Sequence, residues 1–470
     1  MKKAGLVIAV LVVVLAAGLW VFWPQVRIWQ LRQALDRVIL PGLKAQIAAT
    51  SGQEPLLAYQ SLGVEGSAYV VENPSLSLAG GPDLILGAKR LLLNNVDLSL
   101  FGELKGCDLA LHEVVLETQG VKLTVRNWEV NRLAVARGGR QVAVARELLQ
   151  GLVIRGPGLP GPLELASVEG KGYRLDLDPE QRRYQGELGS LVALGHDFSV
   201  GLEGMSFQGD FVRMVQGRAC YDRTEFVVKG LKIEKAGDPP LTIASLAGSS
   251  RRSESLDGDR VEFKGVSMTP TDPSHAGLAQ MLGQFGYKGI DLDLTLDYAY
   301  DRQAKTFDLK ELTLSGKDAG RLEASLAVAN LDYDPAQDLG RNLPALKAAR
   351  FKSLKIRYDD ASLTDRLLAH LARQEGLDVE AKRRQLLDQV PALRDLTQGP
   401  DGPGLPDPLK DKAAAQDQQA RKAVRAFLAK PGGLCLAVTP TRELTLDDLA
   451  HRSSELWPGS LDINLDNCGQ

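Results

Sequence analysis

From about Leu56 to about Tyr358 the chain alternates apolar and polar residues, in runs such as VDLSL, VKLTV, VEFKGVSM, IDLDLTLDY and RLEASLAV. Residues at i and i+2 share one face of a strand but point nearly apart on a helix, so the pattern predicts strands. Clean alternation belongs to antiparallel sheet with one dry and one wet face. Stretches such as DPEQRR, KAGDPP and SLDGD supply the turns. A short phrase recurs, polar residue, glycine, then apolar, polar, apolar, at Gly106, Gly120, Gly151, Gly204, Gly230, Gly265 and Gly289. The irregular spacing excludes a solenoid period. A glycine has no Cβ and tolerates positive φ, so each phrase reads as a strand entering the sheet through a turn, bulge or bend.

After Tyr358 the period changes. Leu363, Leu367, Leu368 and Leu371 form a helical stripe with Ser362 or Thr364 at its start. Leu386, Leu387, Val390 and Leu393 mark a second helix that Pro391 would kink. A breaker-rich linker at 399–408 precedes a third helix, and LCLAV and LDINL close the chain as strands. Ahead of the sheet, Val26, Trp29, Leu31, Leu35 and Val38 suggest a stalk helix stopped by Pro41 and Gly42. The expected fold is mainly β (α+β): an anchor at 1–24, a stalk and connection at 25–55, a long curved antiparallel sheet or groove at 56–358, a helical segment at 359–430 and terminal strands at 431–470.

The anchor is the uncharged run Ala4 to Trp23 behind Lys2 and Lys3. As a helix it rises about 30 Å, the thickness of a bilayer's hydrocarbon core. Trp20, Phe22 and Trp23 cluster at its far end, and the lysines mark the near end as cytoplasmic. This predicts a single inner-membrane pass, N-in and C-out, with the body in the periplasm. The competing reading is a cleaved signal using the small residues Ala16, Ala17 and Gly18. The run's full spanning length favours the anchor.

Hydrophobic residues at 44% and charged residues at 24% describe a globular chain, and a net charge of -3 gives no global footprint for nucleic acid. No motif carries chemistry. RGPGLPG at Arg155 to Gly161 fits a dinucleotide fingerprint in letters only, since two prolines and no following helix spoil the phosphate cradle. The five histidines are scattered. Asp291, Asp293, Thr295 and Asp297 align on one face, but strand carboxylates about 7 Å apart cannot wrap one cation. No enzyme, cofactor or metal is expected. Of four cysteines, Cys435 and Cys468 border the terminal strands, where an oxidising compartment permits a disulfide; two unpaired thiols are the alternative.

The dry face stands out. Sheet of this extent presents more apolar surface than a few helices cover, so it closes on itself or holds an apolar ligand. Leu292, Leu294 and Leu296 are the candidate lipid-facing residues. The one-span anchor, LAYQSLGVEGSAYVVENPSLSL and phrases of the FKGVSM kind resemble the AsmA-like and YdgA-like envelope proteins of Gram-negative bacteria. The C-terminal stretches LKIRYDDASLTDRLLAHLARQEGLDVE and FLAKPGGLCLAVTPTRELTLDDL are similar to the end region of relatives of the latter. The AsmA resemblance implies a periplasmic β-groove serving phospholipid or outer-membrane biogenesis, with no catalytic residue to carry over. Three functions remain open: a non-enzymatic protein binding or shielding envelope lipid, a scaffold with a closed β core that binds envelope proteins, and an envelope hydrolase without a recognisable motif.

Overall fold

The computed structural model describes residue 41 and residues 55–78, 85–98, 104–118, 120–136, 140–157, 161–215, 218–270, 275–333, 339–391, 407–450 and 459–468. The expected anchor, nearly all of the stalk and most of the 399–408 linker lie outside the described residues. No helix among those described is long and apolar enough to cross a membrane. The chain is mainly antiparallel β and divides into two compact units, 1–221 and 222–470.

Unit 1 begins with short strands β1 (Pro55–Ala58), β2 (Ser61–Glu65), β3 (Ala68–Glu72), β4 (Ser75–Leu78) and β5 (Ile85–Gly87), then β6 (Arg90–Leu98). Four long strands follow: β7 (Leu104–Thr118), β8 (Val121–Ala136), β9 (Gln141–Arg155) and β10 (Leu163–Asp178). They pair in chain order. Each outer member of this block is shared by two shorter strands. Along β7, β6 takes residues 104–112 and β5 takes 115–117. Along β10, β11 (Arg183–Leu188) takes 174–178 and β12 (Ser190–Gly195) takes 165–171. Glycines permit the second fork, because Gly172 sits at φ +68° and Gly189 donates to the Lys171 carbonyl at 2.8 Å, where a Cβ would stand 3.0 Å from that oxygen. The strands β13 (Phe198–Leu202), β14 (Gly204–Asp210) and β15 (Arg213–Val215) complete the unit, and β16 (Arg218–Lys235) carries the chain onward.

No helix forms among the described residues 55–221, and the buried core residues described there lie on strands. Val114, Val125, Leu152, Leu165 and Ala193 gather in one cluster, and Tyr69, Leu93, Leu104, Cys107 and Val135 in another. Burying each such valine or leucine contributes about 1.5 to 3 kcal/mol.

Unit 2 is a meander of β17 (Leu241–Arg252), β18 (Leu256–Met268), β19 (Ile290–Asp301), β20 (Thr306–Gly316), β21 (Gly320–Ala329) and β22 (Arg350–Asp360), continued by β23 (Gly433–Pro440) and β24 (Leu461–Asp466). Helix α1 (Ala276–Gln284) lies between β18 and β19, and α2 (Leu339–Ala348) between β21 and β22. The alternation pattern gave no sign of either. Helices α3 (Leu363–Glu375), α4 (Val379–Asp388) and α5 (Asp407–Ala429) fill the chain between β22 and β23.

The helix ends differ in detail from expectation. Ser362 stands at the N-cap of α3, but its side chain donates to the Asp318 carbonyl rather than capping; Asp360 Oδ1 instead accepts from the Thr364 amide at 2.9 Å and its hydroxyl at 2.8 Å. Pro391 does not kink α4, which ends at Asp388 before it, as the restriction on residues preceding proline favours.

The glycine phrase also has a second use. Gly120, Gly204 and Gly289 stand at strand starts as expected, but Gly106, Gly151, Gly230 and Gly265 lie inside β7, β9, β16 and β18. At Gly265, φ is +61°, and Lys264 and Gly265 together oppose the single residue Asp293 of β19. This is a bulge, and the strand continues through it with its apolar phase shifted by one.

Candidate functional site

The two faces of the unit 2 sheet follow from its register. One carries the row Leu246, Phe263, Leu294, Leu314, Leu322, Tyr358 and Leu434 across seven strands. Beside it run Val261, Leu296, Leu312, Ala324, Ile356, Leu436 and Leu465. Leu292, opposite Val266 and Gly316, extends the same face. At one end of the sheet this face is covered: Tyr300, Val328, Leu331 and Ala349 form one buried cluster, and Phe351, Leu444 and Leu461 another. The predicted Leu292, Leu294 and Leu296 belong to neither, and all three are only half-buried. Their neighbour Leu314 is 38% exposed.

The opposite face is polar. Arg260 binds three carboxylates, Glu262 at 2.8 Å, Asp297 at 3.1 Å and Glu311 at 3.1 Å, while Thr313 donates to Glu311 at 3.1 Å. Hydrogen bonding from Arg260 holds the Glu262 carboxyl below the usual range, and the same bond raises the guanidinium. The acidic stripe of β19 is thereby dispersed rather than gathered: Asp297 faces Arg260, Asp291 lies 3.9 Å from Lys317, and Asp293 accepts the Gly265 amide at 2.7 Å.

Further along this face, residues of β20 to β24 line an open cavity of about 530 Å³. Its shape follows from side-chain size. Short residues, Thr313, Ser325, Cys435 and Ala437, form the floor, and longer ones, Lys310, Glu311, Glu323, Lys355 and Arg357, stand around them. A second bulge contributes. Lys310 is an extra residue in β20 relative to both neighbours, since Asp297 and Tyr298 face Glu311 and Leu309 on one side and Ser325 alone lies between the Leu309 and Leu312 pairs on the other. The bulge brings the Lys310 side chain to the cavity beside Glu311.

Cys435 and Cys468 are disulfide-bonded, with 5.1 Å between their Cα atoms. Cys435 lies in the cavity floor opposite Asp466 of β24. Cys435, Asp466 and Cys468 are the one cluster with metal-ligand proximity among the described residues, and both sulfurs are committed to the crosslink. Cys107 and Cys220 are free and buried. Among the described residues the histidines do not converge: His112 meets Asn127 at 2.9 Å, and His370 packs tilted against Phe285, 4.7 Å between ring centroids, and bonds Gln374 at 3.0 Å; His451 lies outside the described residues. Arg155 to Gly161 lies between β9 and the antiparallel β10, and no helix is seen among its described residues.

A family model described as an uncharacterized protein matches residues 313–467. The match takes in Thr313, Glu323, Lys355, Arg357 and Cys435, and excludes Lys310, Leu292, Leu294, Leu296 and Cys468. No curated protein matches the chain.

Proposed function

We propose that this is a non-enzymatic, inner-membrane-anchored periplasmic protein that binds or shields lipid-like molecules on the apolar face of unit 2. The observation that carries the reading is the half-exposed row around Leu292, Leu294, Leu296 and Leu314, which lies outside the buried clusters of its own face. The occupant is argued from the chain itself: Ala4 to Trp23 has the length and composition to tether the body at a bilayer, the nearest source of acyl chains.

The test is native mass spectrometry of the full-length protein released from detergent. Wild type retains lipid, and Leu294→Asp loses it by placing a charge on the apolar face. Asp291→Asn, an exposed position on the other face, retains it. Circular dichroism confirms that both variants fold. A folded wild-type protein that carries no lipid and takes none from liposomes would transfer the assignment to the scaffold reading. Reporter fusions after Leu56, active only on export, test the topology independently.

A further inference from the structure

The cavity of unit 2 carries three cationic and three carboxylate side chains, Lys310, Lys355 and Arg357 against Glu311, Glu323 and Asp466. Most are satisfied internally. Arg357 is spent on Asp359, with contacts of 2.7 and 3.1 Å, Glu311 is held by Arg260 and Thr313, and Glu323 by Arg321 at 2.8 Å. Lys310 and Lys355 have no partner among the described residues. They sit on β20 and β22 with Ser325 of β21 between them, because Ser325 pairs with Lys355 and faces the bulge that carries Lys310. Two strand spacings put their backbones about 10 Å apart, a gap that two lysine side chains close readily around one small anion.

We propose that this cavity binds a phosphoryl group through Lys310 and Lys355. Two unpaired ammonium groups over a floor of short side chains that includes the Thr313 and Ser325 hydroxyls supply charge-assisted donors to an oxyanion. Asp466 is the remaining carboxylate, with one oxygen taken by the Cys468 amide at 2.7 Å. It disfavours a polyanion and suits a ligand that joins one phosphoryl group to an amine or hydroxyl. Free phosphate and a lipid headgroup share the required chemistry. The site lies on the face opposite Leu294, so it stands independently of acyl-chain binding there.

The experiment is isothermal titration of the full-length chain with inorganic phosphate and, separately, with glycerophosphoethanolamine, a headgroup phosphodiester without acyl chains. At least one probe binds saturably, and Lys310→Gln or Lys355→Gln weakens it about tenfold. Lys352→Gln, on the same strand as Lys355 but outside the cavity, leaves it unchanged. Tighter binding of the phosphodiester identifies a headgroup as the source, and tighter binding of inorganic phosphate identifies the free ion. Both lysines are exposed, so their loss leaves the fold intact, as circular dichroism will verify. Failure of both probes to saturate, or binding indifferent to both lysine substitutions, overturns the proposal. A chain that retains acyl lipid yet ignores both probes sinks this site and leaves the apolar face untouched.

Discussion

Cys107 shows how far one environment moves one group. It is 2% exposed within the Tyr69 and Leu104 cluster, and burial, reinforced by the neighbouring Asp108 charge, pushes its thiol from 9.0 up to about 12. The thiolate is the reactive form, so iodoacetamide at pH 8 should leave Cys107 unmodified in the folded protein and alkylate it after unfolding. The raised value also sets a pH dependence. The folded state keeps a proton that the unfolded chain gives up first, so this contribution is complete below about pH 9 and is lost as pH rises toward 12. Thermal melts across that window should show the fall, and Cys107→Ala, though less stable throughout, should lack that component. At the acid end Glu262 has the opposite sign: its carboxyl is depressed by Arg260, so its contribution is present near neutrality and is lost as pH falls.

At the level of strands, much of the architecture was legible in the alternation, and the bulges explain where that reading stopped. In VEFKGVSM the apolar residues run Val261, Phe263, Val266, Met268, and in FDLKELTL they run Phe307, Leu309, Leu312, Leu314. Each series contains one step of three among steps of two. Those slips fall at the register shifts of β18 and β20; at Gly265 the glycine phrase points to a strand entrance instead, and the slip at Lys310 has no glycine to draw attention to it. The cavity was not legible, because Lys310, Lys355 and Asp466 meet only through the pairing of five strands. The β18 bulge is fixed by two features, Gly265 at positive φ and the Asp293 carboxylate on its amide. The device recurs in unit 1, where Arg132 at φ +54° gives its amide to Asp108 at 2.8 Å. Gly265→Ala meets both a strained φ and the Ala244 Cβ at 2.8 Å, and should destabilise by about 2 kcal/mol. Asp293→Ala should cost about 1 kcal/mol. Denaturant melts of the two variants give both values. At the helices, Asp378 accepts the Ala381 amide at 2.8 Å, and Asp378→Ala should cost a further ~1 kcal/mol.

For the molecule as a whole, the largest single constraint is the bond between Cys435 and Cys468, which are 33 residues apart. In the chain-entropy model such a closure is worth about 3 to 4 kcal/mol. Replacing both cysteines by serine should therefore lower the melting temperature and speed amide exchange in β23, β24 and α5, read by hydrogen-exchange mass spectrometry. Helix α5 runs beside β24, with Gln416 on Asp462, Gln419 on Asn464 and Asn467 on the Ala423 carbonyl at 3.1 Å. Among the described residues β24 pairs with β23 alone, which leaves its other edge without a partner strand. An unpaired edge invites a second chain to add a strand of its own, and such addition has no natural end. The crosslink and the adjoining helix hold β24 where that addition is hindered, so they govern colloidal behaviour as well as stability. Reduction should turn a dilute monodisperse solution into one whose light scattering grows with protein concentration, long before the sheet itself melts.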